Sequence, residues 1–253
     1  MMKLFLLSVP ILLAAGAPAN AEPTEIVVRV ISEDAKFIGD SMGGANVVLR
    51  AAQSGKVLAR GKTSGGTGNT ALIMHASGRS PVISTPDAAA YITQIDINEP
   101  TLIDLEVTGP NARSGSQIRI VSQRWVMPGQ PVNTGDGWVV ELPGLSISPT
   151  ASAVRGSAAD GTRAFTVSAK VELLCGCPIT PGGVWDANDY QVTASIWQHG
   201  RRVSEFPLQF IEAPGGFSGR IVLPAKGRPR VFIMARNLVT GNSGITELPL
   251  LRQ

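Results

Sequence analysis

The chain is poor in the residues that most protein chemistry draws on. Its 253 residues include two cysteines, two histidines, two tyrosines and four tryptophans. A Ser-His-Asp triad would have only His75 and His199 to use as its base, and no Gly-x-Ser-x-Gly elbow is present. Asp and Glu are spread over the solvent side of alternating runs, so no carboxylate pair stands out for glycosidic chemistry. The glycine-rich segments "GDSMGGANV" and "TSGGTGNT" lack the Gly-Lys-Ser/Thr ending of a phosphate loop. Net charge is also small, with 22 basic and 19 acidic residues giving +3. That balance argues against nucleic acid as a partner. No apolar run reaches the ~20 residues that span a bilayer. The expectation is a non-catalytic protein with no cofactor and no membrane insertion after export.

Export is read from the first residues. Lys3 precedes an apolar run over residues 4–15, and Ala19-Asn20-Ala21 supplies an A-x-A cleavage site. Residues 1–21 are expected to be a signal peptide, with the mature chain starting at Glu22. The predicted compartment is the periplasm, the medium being the alternative.

Period-two alternation dominates the rest of the chain. "FTVSAKVEL" places Phe165, Val167, Ala169, Val171 and Leu173 on one face, and "LIDLEV" does the same with Ile103, Leu105 and Val107. "YITQIDI", "QIRIV", "WVVEL", "QVTASIW", "RIVL" and "VFIMA" are further strand candidates. Glycine (28) and proline (18) punctuate them as turns. "NTGDGW" predicts a hairpin turn before "WVVEL". The one helical candidate is "TPDAAAYI", with one or two turns. "LPGLSISPTASAVRGSAADGTRAF" has no apolar pattern after Ile147 and reads as a linker or long loop. The predicted fold is all-β: two tandem β-sandwich domains, residues 22–149 and 150–253.

Residues 44–68, "GANVVLRAAQSGKVLARGKTSGGTG", resemble the transthyretin-like or carboxypeptidase regulatory-like modules of exported bacterial proteins. The resemblance implies a strand at 46–50, a turn at Gln53-Ser54-Gly55 and a return strand at 56–63. "YQVTASIWQHGRRVSEFPLQF", "GFSGRIVLP" and "VFIMARNLVTGNSG" resemble the strands of a bacterial immunoglobulin-like domain. Such folds host adhesion, scaffolding and accessory roles, so the resemblance implies no activity by itself.

The only thiols lie in "VELLCGCPITPGGVWDANDY", at Cys175 and Cys177. Residues i and i+2 of a strand share a face, so Leu173 would carry its buried face on to both cysteines. In a fully extended strand their α-carbons would be ~6.5 Å apart, beyond the ~5.5–6 Å a disulfide prefers. Gly176 allows a kink that closes the gap. An oxidising compartment favours a local disulfide. The alternatives are a soft-metal site for copper or zinc, thiol–disulfide exchange, and free or intermolecularly bridged thiols. A metal would need further ligands from His75, His199, Met42, Met74, Met127 or Met234. Asp186, Asn188 and Asp189 form an oxygen-rich calcium candidate, set against an Asx turn.

The four tryptophans, Trp125, Trp138, Trp185 and Trp197, are candidates for a sugar-binding face. Trp197 is out of phase with Val192, Ala194 and Ile196 and is expected to leave the core, toward a domain interface. The functional expectation is an exported binding or accessory protein that presents loops to a protein or carbohydrate partner. Metal handling through Cys175 and Cys177, and service as a subunit of a periplasmic enzyme, are the alternatives.

Overall fold

A computed structural model describes residues 21–154 and 161–249. The predicted signal peptide therefore lies, but for Ala21, outside the described residues. The fold is all-β. Seven strands precede Pro143: β1 (Glu22–Ser32), β2 (Asn46–Ala51), β3 (Val57–Lys62), β4 (Tyr91–Ile97), β5 (Thr101–Gly109), β6 (Ile118–Val126) and β7 (Trp138–Leu142). Seven come after it: β8 (Leu145–Ala153), β9 (Arg163–Leu173), β10 (Tyr190–Gln198), β11 (Arg201–Phe210), β12 (Gly216–Leu223), β13 (Arg230–Asn237) and β14 (Ser243–Leu248).

The first seven strands form two sheets, ordered β4-β1-β7 and β3-β2-β5-β6. Alternation decides their inner faces. Ile26, Val28 and Val30 of β1, Val47 and Leu49 of β2, and Ile103, Leu105 and Val107 of β5 are all buried in one cluster. The hairpin expected over residues 44–68 is present, as β2 and β3 pair antiparallel from Asn46↔Lys62 to Arg50↔Val57. The turn at "NTGDGW" is also present, closed by the Gly137 N–H on the Thr134 carbonyl at 3.1 Å. It does not make a hairpin, because β7 pairs parallel to β1, from Val28↔Trp138 to Ser32↔Leu142.

The helix expected at "TPDAAAYI" is absent. Ala88 and Ala90 are instead tied by bridges to Gly66 and Ser64, and Tyr91 already opens β4. The helix of this region is α1 (Thr70–Met74), started by the Asn69 side chain accepting from the Leu72 N–H. The excursion over residues 64–90 has its own small core of Phe37, Ala88 and Ala89, with Ile31, Ile73 and Ile83 against it. Two charged side chains pin it. Arg29 donates to the carbonyls of Ala88 and Ala89 at 2.6 and 3.1 Å. The Asp136 carboxylate accepts from the N–H groups of Ile83 and Ser84, at 2.9 and 2.8 Å.

The last seven strands form one sheet, β14-β13-β10-β11-β12-β9-β8. It curls until its two ends meet: a Cβ added to Gly244 of β14 would fall 2.3 Å from the Leu145 carbonyl oxygen of β8. Only glycine permits that approach. The interior holds Val167, Ala169, Val171, Leu173, Val192, Ala194, Ile196, Phe217, Ile221 and Ile233, all buried. The ladder between β11 and β12 is short, Gln209↔Ser218 and Phe210↔Phe217. Continued, its register would set Pro207 against Arg220, and proline has no N–H to contribute. Toward its other end β11 makes no further ladder pair with β12.

The expected linker is the main departure. Residues Leu145–Ala153 pair with β9 along their whole length, from Leu145↔Leu173 to Ala153↔Phe165. Only Leu145, Ser146 and Ile147 are buried, which is why apolar alternation stops at Ile147. The rest of β8 is held by backbone bonds to a neighbour and needs no apolar face. The position expected to divide the chain, between Pro149 and Thr150, lies within this strand. Residues 155–160 lie outside the described residues.

The two cores meet through a reciprocal insertion. Leu174 leaves the β9 end and is buried in the core of the first seven strands. Ala35, just past β1, is buried in the core of the last seven. The Leu174 N–H donates to Ser32 Oγ at 3.1 Å, and Trp185 Nε1 donates to the Asp34 carbonyl at 2.8 Å. Asn242 completes the joint: its Oδ1 accepts from the Gly144 N–H at 2.9 Å and its Nδ2 donates to the Glu33 carbonyl at 3.3 Å. Glu172, largely buried, pairs with Arg113 at 3.0 Å across the same seam and with Lys170 on its own strand.

Two outcomes are expected. Leu174→Ala empties a fully buried site in the other half's core and should cost about 2–5 kcal/mol of unfolding free energy by urea denaturation; a loss below about 1 kcal/mol would show that the insertion is incidental. Asp136 should make the 64–90 excursion acid-sensitive. Burial disfavours its charge, but hydrogen bonds from Ser84 and from the Ile83 and Ser84 N–H groups, with Arg29 nearby, outweigh it and hold the carboxyl below its ordinary value. A carboxyl depressed in the folded state contributes in full above its unfolded value, ~3.9, and loses that contribution as pH falls through the folded value. Amide exchange at Ile83 and Ser84, corrected for intrinsic rates, should lose protection in that acid range. Equal protection in Asp136→Ala at neutral pH would refute the clamp.

Candidate functional site

The Cys-Gly-Cys segment does not extend the strand. β9 ends at Leu173 and the chain reverses at once, with the Gly176 N–H on the Leu173 carbonyl at 2.8 Å and the Leu173 N–H on the Cys177 carbonyl at 3.4 Å. Gly176 adopts φ 79°, a left-handed conformation that favours glycine. A side chain there would also meet the Met42 sulfur at 3.0 Å. The turn shortens the α-carbon separation of Cys175 and Cys177 to 5.4 Å and sets the pair at disulfide distance. Both cysteines are buried in the second core. Ser41 Oγ donates to the Cys175 carbonyl at 3.3 Å.

Of the further ligands considered for a metal, Met42 packs against this turn, at Gly176. His75 caps the end of α1 and is exposed, His199 is exposed in the β10–β11 turn, and Met127 and Met234 are exposed on other surfaces. Among the described residues no group of three or more His, Cys, Asp or Glu side chains is gathered as a metal site would require.

The calcium candidate is organised as an Asx turn. Asp186 Oδ1 accepts from the Asn188 N–H and from Asn188 Nδ2, both at 3.0 Å, and caps a single 3₁₀ turn at Ala187–Asp189. The N–H groups it accepts, that of Asn188 first, hold its carboxyl below the usual value. The Asp189 carbonyl accepts from the Leu238 N–H at 2.8 Å. These residues start β10 and fasten it to the end of β13.

Trp197 is not at the interface between the halves. Tyr190, at the near end of β10, is buried and lies in the field of Asp34. Trp197 is seven residues further on, about 23 Å away at ~3.3 Å per residue. There it joins an outward-facing apolar stripe. Register places Trp197, Ser195 and Thr193 of β10 opposite Arg230, Phe232 and Met234 of β13. Met234 in turn lies opposite Ile245 of β14, and Phe232 opposite Glu247. Trp197 is 37% exposed, Met234 40% and Ile245 63%. This is apolar surface that alternation would ordinarily give to polar residues.

The stripe borders a recess of about 370 Å³ lined by Trp197, His199, Gly200, Arg228, Arg230, Phe232 and Ile245. The indole is fixed in place: its Nε1 donates to Ser195 Oγ at 3.0 Å, and that hydroxyl donates to the Phe232 carbonyl at 3.4 Å. Arg230 stacks on Phe232, 4.7 Å from the ring centroid, and grips Glu247 with two bonds at 2.9 and 2.6 Å. That pairing raises the Arg230 pKa and lowers that of Glu247. Arg228 has no hydrogen bond or ion pair among the described residues. Gln198 Nε2 donates to the Lys226 carbonyl at 2.8 Å and positions the 224–229 loop against the hairpin. A second recess of about 440 Å³ lies over β2, β3 and β5, and its lining contains no aromatic residue.

The sequence singles out Trp197 but points it toward the wrong neighbours. The 224–229 loop and the start of β13 supply two of the lining residues, Arg228 and Arg230. Phe232 and Ile245 carry no signal, because only register makes them neighbours of Trp197.

No family model, curated protein or solved structure matches the chain.

Intact mass should be two hydrogens below the reduced value and unchanged by alkylation before reduction. Uptake of two alkyl groups without reductant would mean free thiols. The bridge closes a very small ring, so the loop-entropy contribution is only ~1.5 kcal/mol. The Cys175→Ala/Cys177→Ala double variant should therefore remain folded, with a midpoint lower by a few degrees in calorimetry.

Proposed function

We propose that this chain is an exported, non-catalytic binding protein, built as two β-sandwich domains, whose ligand contact is the Trp197 recess. Two separate buried cores support the domain reading. Because β7 belongs to the first and β8 to the second, the natural seam is Pro143-Gly144. The transthyretin-like and immunoglobulin-like resemblances fit this division, and the leader sequence supports a periplasmic setting.

The observation that carries the reading is Trp197: a large aromatic face left in solvent, held by a bond to Ser195, beside a recess with an arginine rim. Leaving 37% of Trp197 in solvent forgoes roughly 0.5–1 kcal/mol of burial, and fixing it in advance lowers the entropy lost when a ligand stacks on it. A protein or carbohydrate surface meets such a platform through its apolar patches, and the neighbouring loops add polar contacts.

The soft-metal alternative has one supporting contact, Met42 against Gly176. A disulfide, however, leaves neither sulfur as the thiolate that copper or zinc would bind.

Affinity electrophoresis through gels containing a panel of neutral and acidic polysaccharides tests the proposal. At least one polysaccharide should retard the wild-type chain and fail to retard Trp197→Ala. Retardation by none, or equal retardation of the variant, would overturn the recess as the contact. Release of reducing ends from any of them by the purified chain would overturn the non-catalytic reading.

A further inference from the structure

We infer that the ligand of this recess is an acidic polysaccharide, one carrying carboxylates on its sugar rings; this rests on the binding reading above and narrows it. The ligand class is set by which charges on this face are cancelled and which are left. The outer face of β10, β13, β14 and β11 carries two carboxylates beside the stripe, and each is paired. Glu247 is gripped by Arg230, and Glu205 by Arg202. Neither is free to repel an anion. On the same surface Arg228 and Arg236 are exposed, and neither has an ion pair among the described residues. The face is therefore apolar along its middle and positive at its margins.

That combination selects among ligands. A neutral glycan would use the Trp197 face and leave the arginines idle. A simple polyanion would use the arginines and leave the indole idle. A sugar acid uses both, since the C–H face of a pyranose stacks on an aromatic ring while its carboxylate accepts two bonds from a guanidinium. Arg228 lines the recess itself and is the guanidinium placed to do this. Arg236 extends the positive margin along β13, six residues beyond Arg230 or about 20 Å at ~3.4 Å per residue. Positive groups spread over that length fit a chain of sugars better than a single ring. Single-stranded nucleic acid also combines stacking with negative charge, but it binds along repeated aromatic platforms in a basic groove. Here one exposed indole stands in the recess, and the whole chain carries a net of only +3.

The test measures binding of the intact chain to de-esterified polygalacturonate by isothermal calorimetry at low salt. Neutral dextran and xylan, poly-L-glutamate and a dT15 oligonucleotide serve as comparisons. Polygalacturonate should bind at least tenfold more tightly than any of the four. Arg228→Gln, an exposed site where folding is not at stake, should weaken it about fivefold or more. Trp197→Phe should weaken it less than Trp197→Ala. Raising salt from about 50 to 500 mM should reduce affinity, and Arg124→Gln on β6 should leave it unchanged. A neutral glycan that binds as tightly and ignores Arg228→Gln would overturn the acidic class while leaving the binding reading intact. Equal binding of poly-L-glutamate or dT15 would reduce the face to a general anion surface and also overturn the inference. Binding of none of the probes would remove both the inference and the reading beneath it.

Discussion

The structure depends on a short chain reversal after Leu173 that serves two cores at once. Leu173, Cys175 and Cys177 point into the second core, while Leu174 between them points into the first. Burying Leu174 is worth roughly 2 kcal/mol, and its position makes that energy contingent on both halves being in place. Ala35 makes the opposite crossing from the end of β1. The backbone polar groups this joint would strand are paired across it, by Ser32, Trp185 and Asn242. Gly176 is favoured here by its left-handed φ of 79°, and a side chain in its place would crowd Met42 of the other half. The cysteine pair sits within this joint, at disulfide distance on the reversal that aims Leu174.

Anchoring one end of the second half leaves its other end free to make contacts. β10 is fastened at the seam by the Asx turn at Asp186 and by the bond from Leu238 to Asp189, and it runs outward to Trp197. The β11–β12 ladder is confined to Gln209↔Ser218 and Phe210↔Phe217, away from the β10–β11 turn. The 224–229 loop is drawn against it by Gln198. A recess with a fixed aromatic wall and an arginine rim is the result.

Much of the fold was legible in the chain. "YITQIDI" and "WVVEL" coincide with β4 and β7 residue for residue, because strands with one buried face print a period of two. The 46–63 hairpin was expected from the resemblance to transthyretin-like modules, and it is present. β8 was not legible, because most of it faces solvent and is held by backbone bonds, which leave no side-chain pattern. "TPDAAAYI" misled through its alanines: helix propensity is a few tenths of a kcal/mol per residue, less than the bridges to Gly66 and Ser64 and the Arg29 bonds supply together. The candidate site was only half legible. Trp197 stood out of phase, which is a local property, but the residues around it come from β13, β14 and a distant loop.

The amino-acid sequence by itself determined the all-β class, the strands with one buried face, most turns, and that the two cysteines could bridge only if the chain kinked at Gly176. Tertiary structure alone decided that β7 joins β1 in parallel, that β8 is a strand, that Leu174 crosses into the other core, and that Trp197, Phe232, Ile245 and Arg228 share one recess. The division has a physical cause. Periodicity and turn chemistry are properties of neighbouring residues, whereas register and side-chain proximity between distant segments are set only when the cores close and each strand finds the partner that satisfies its backbone.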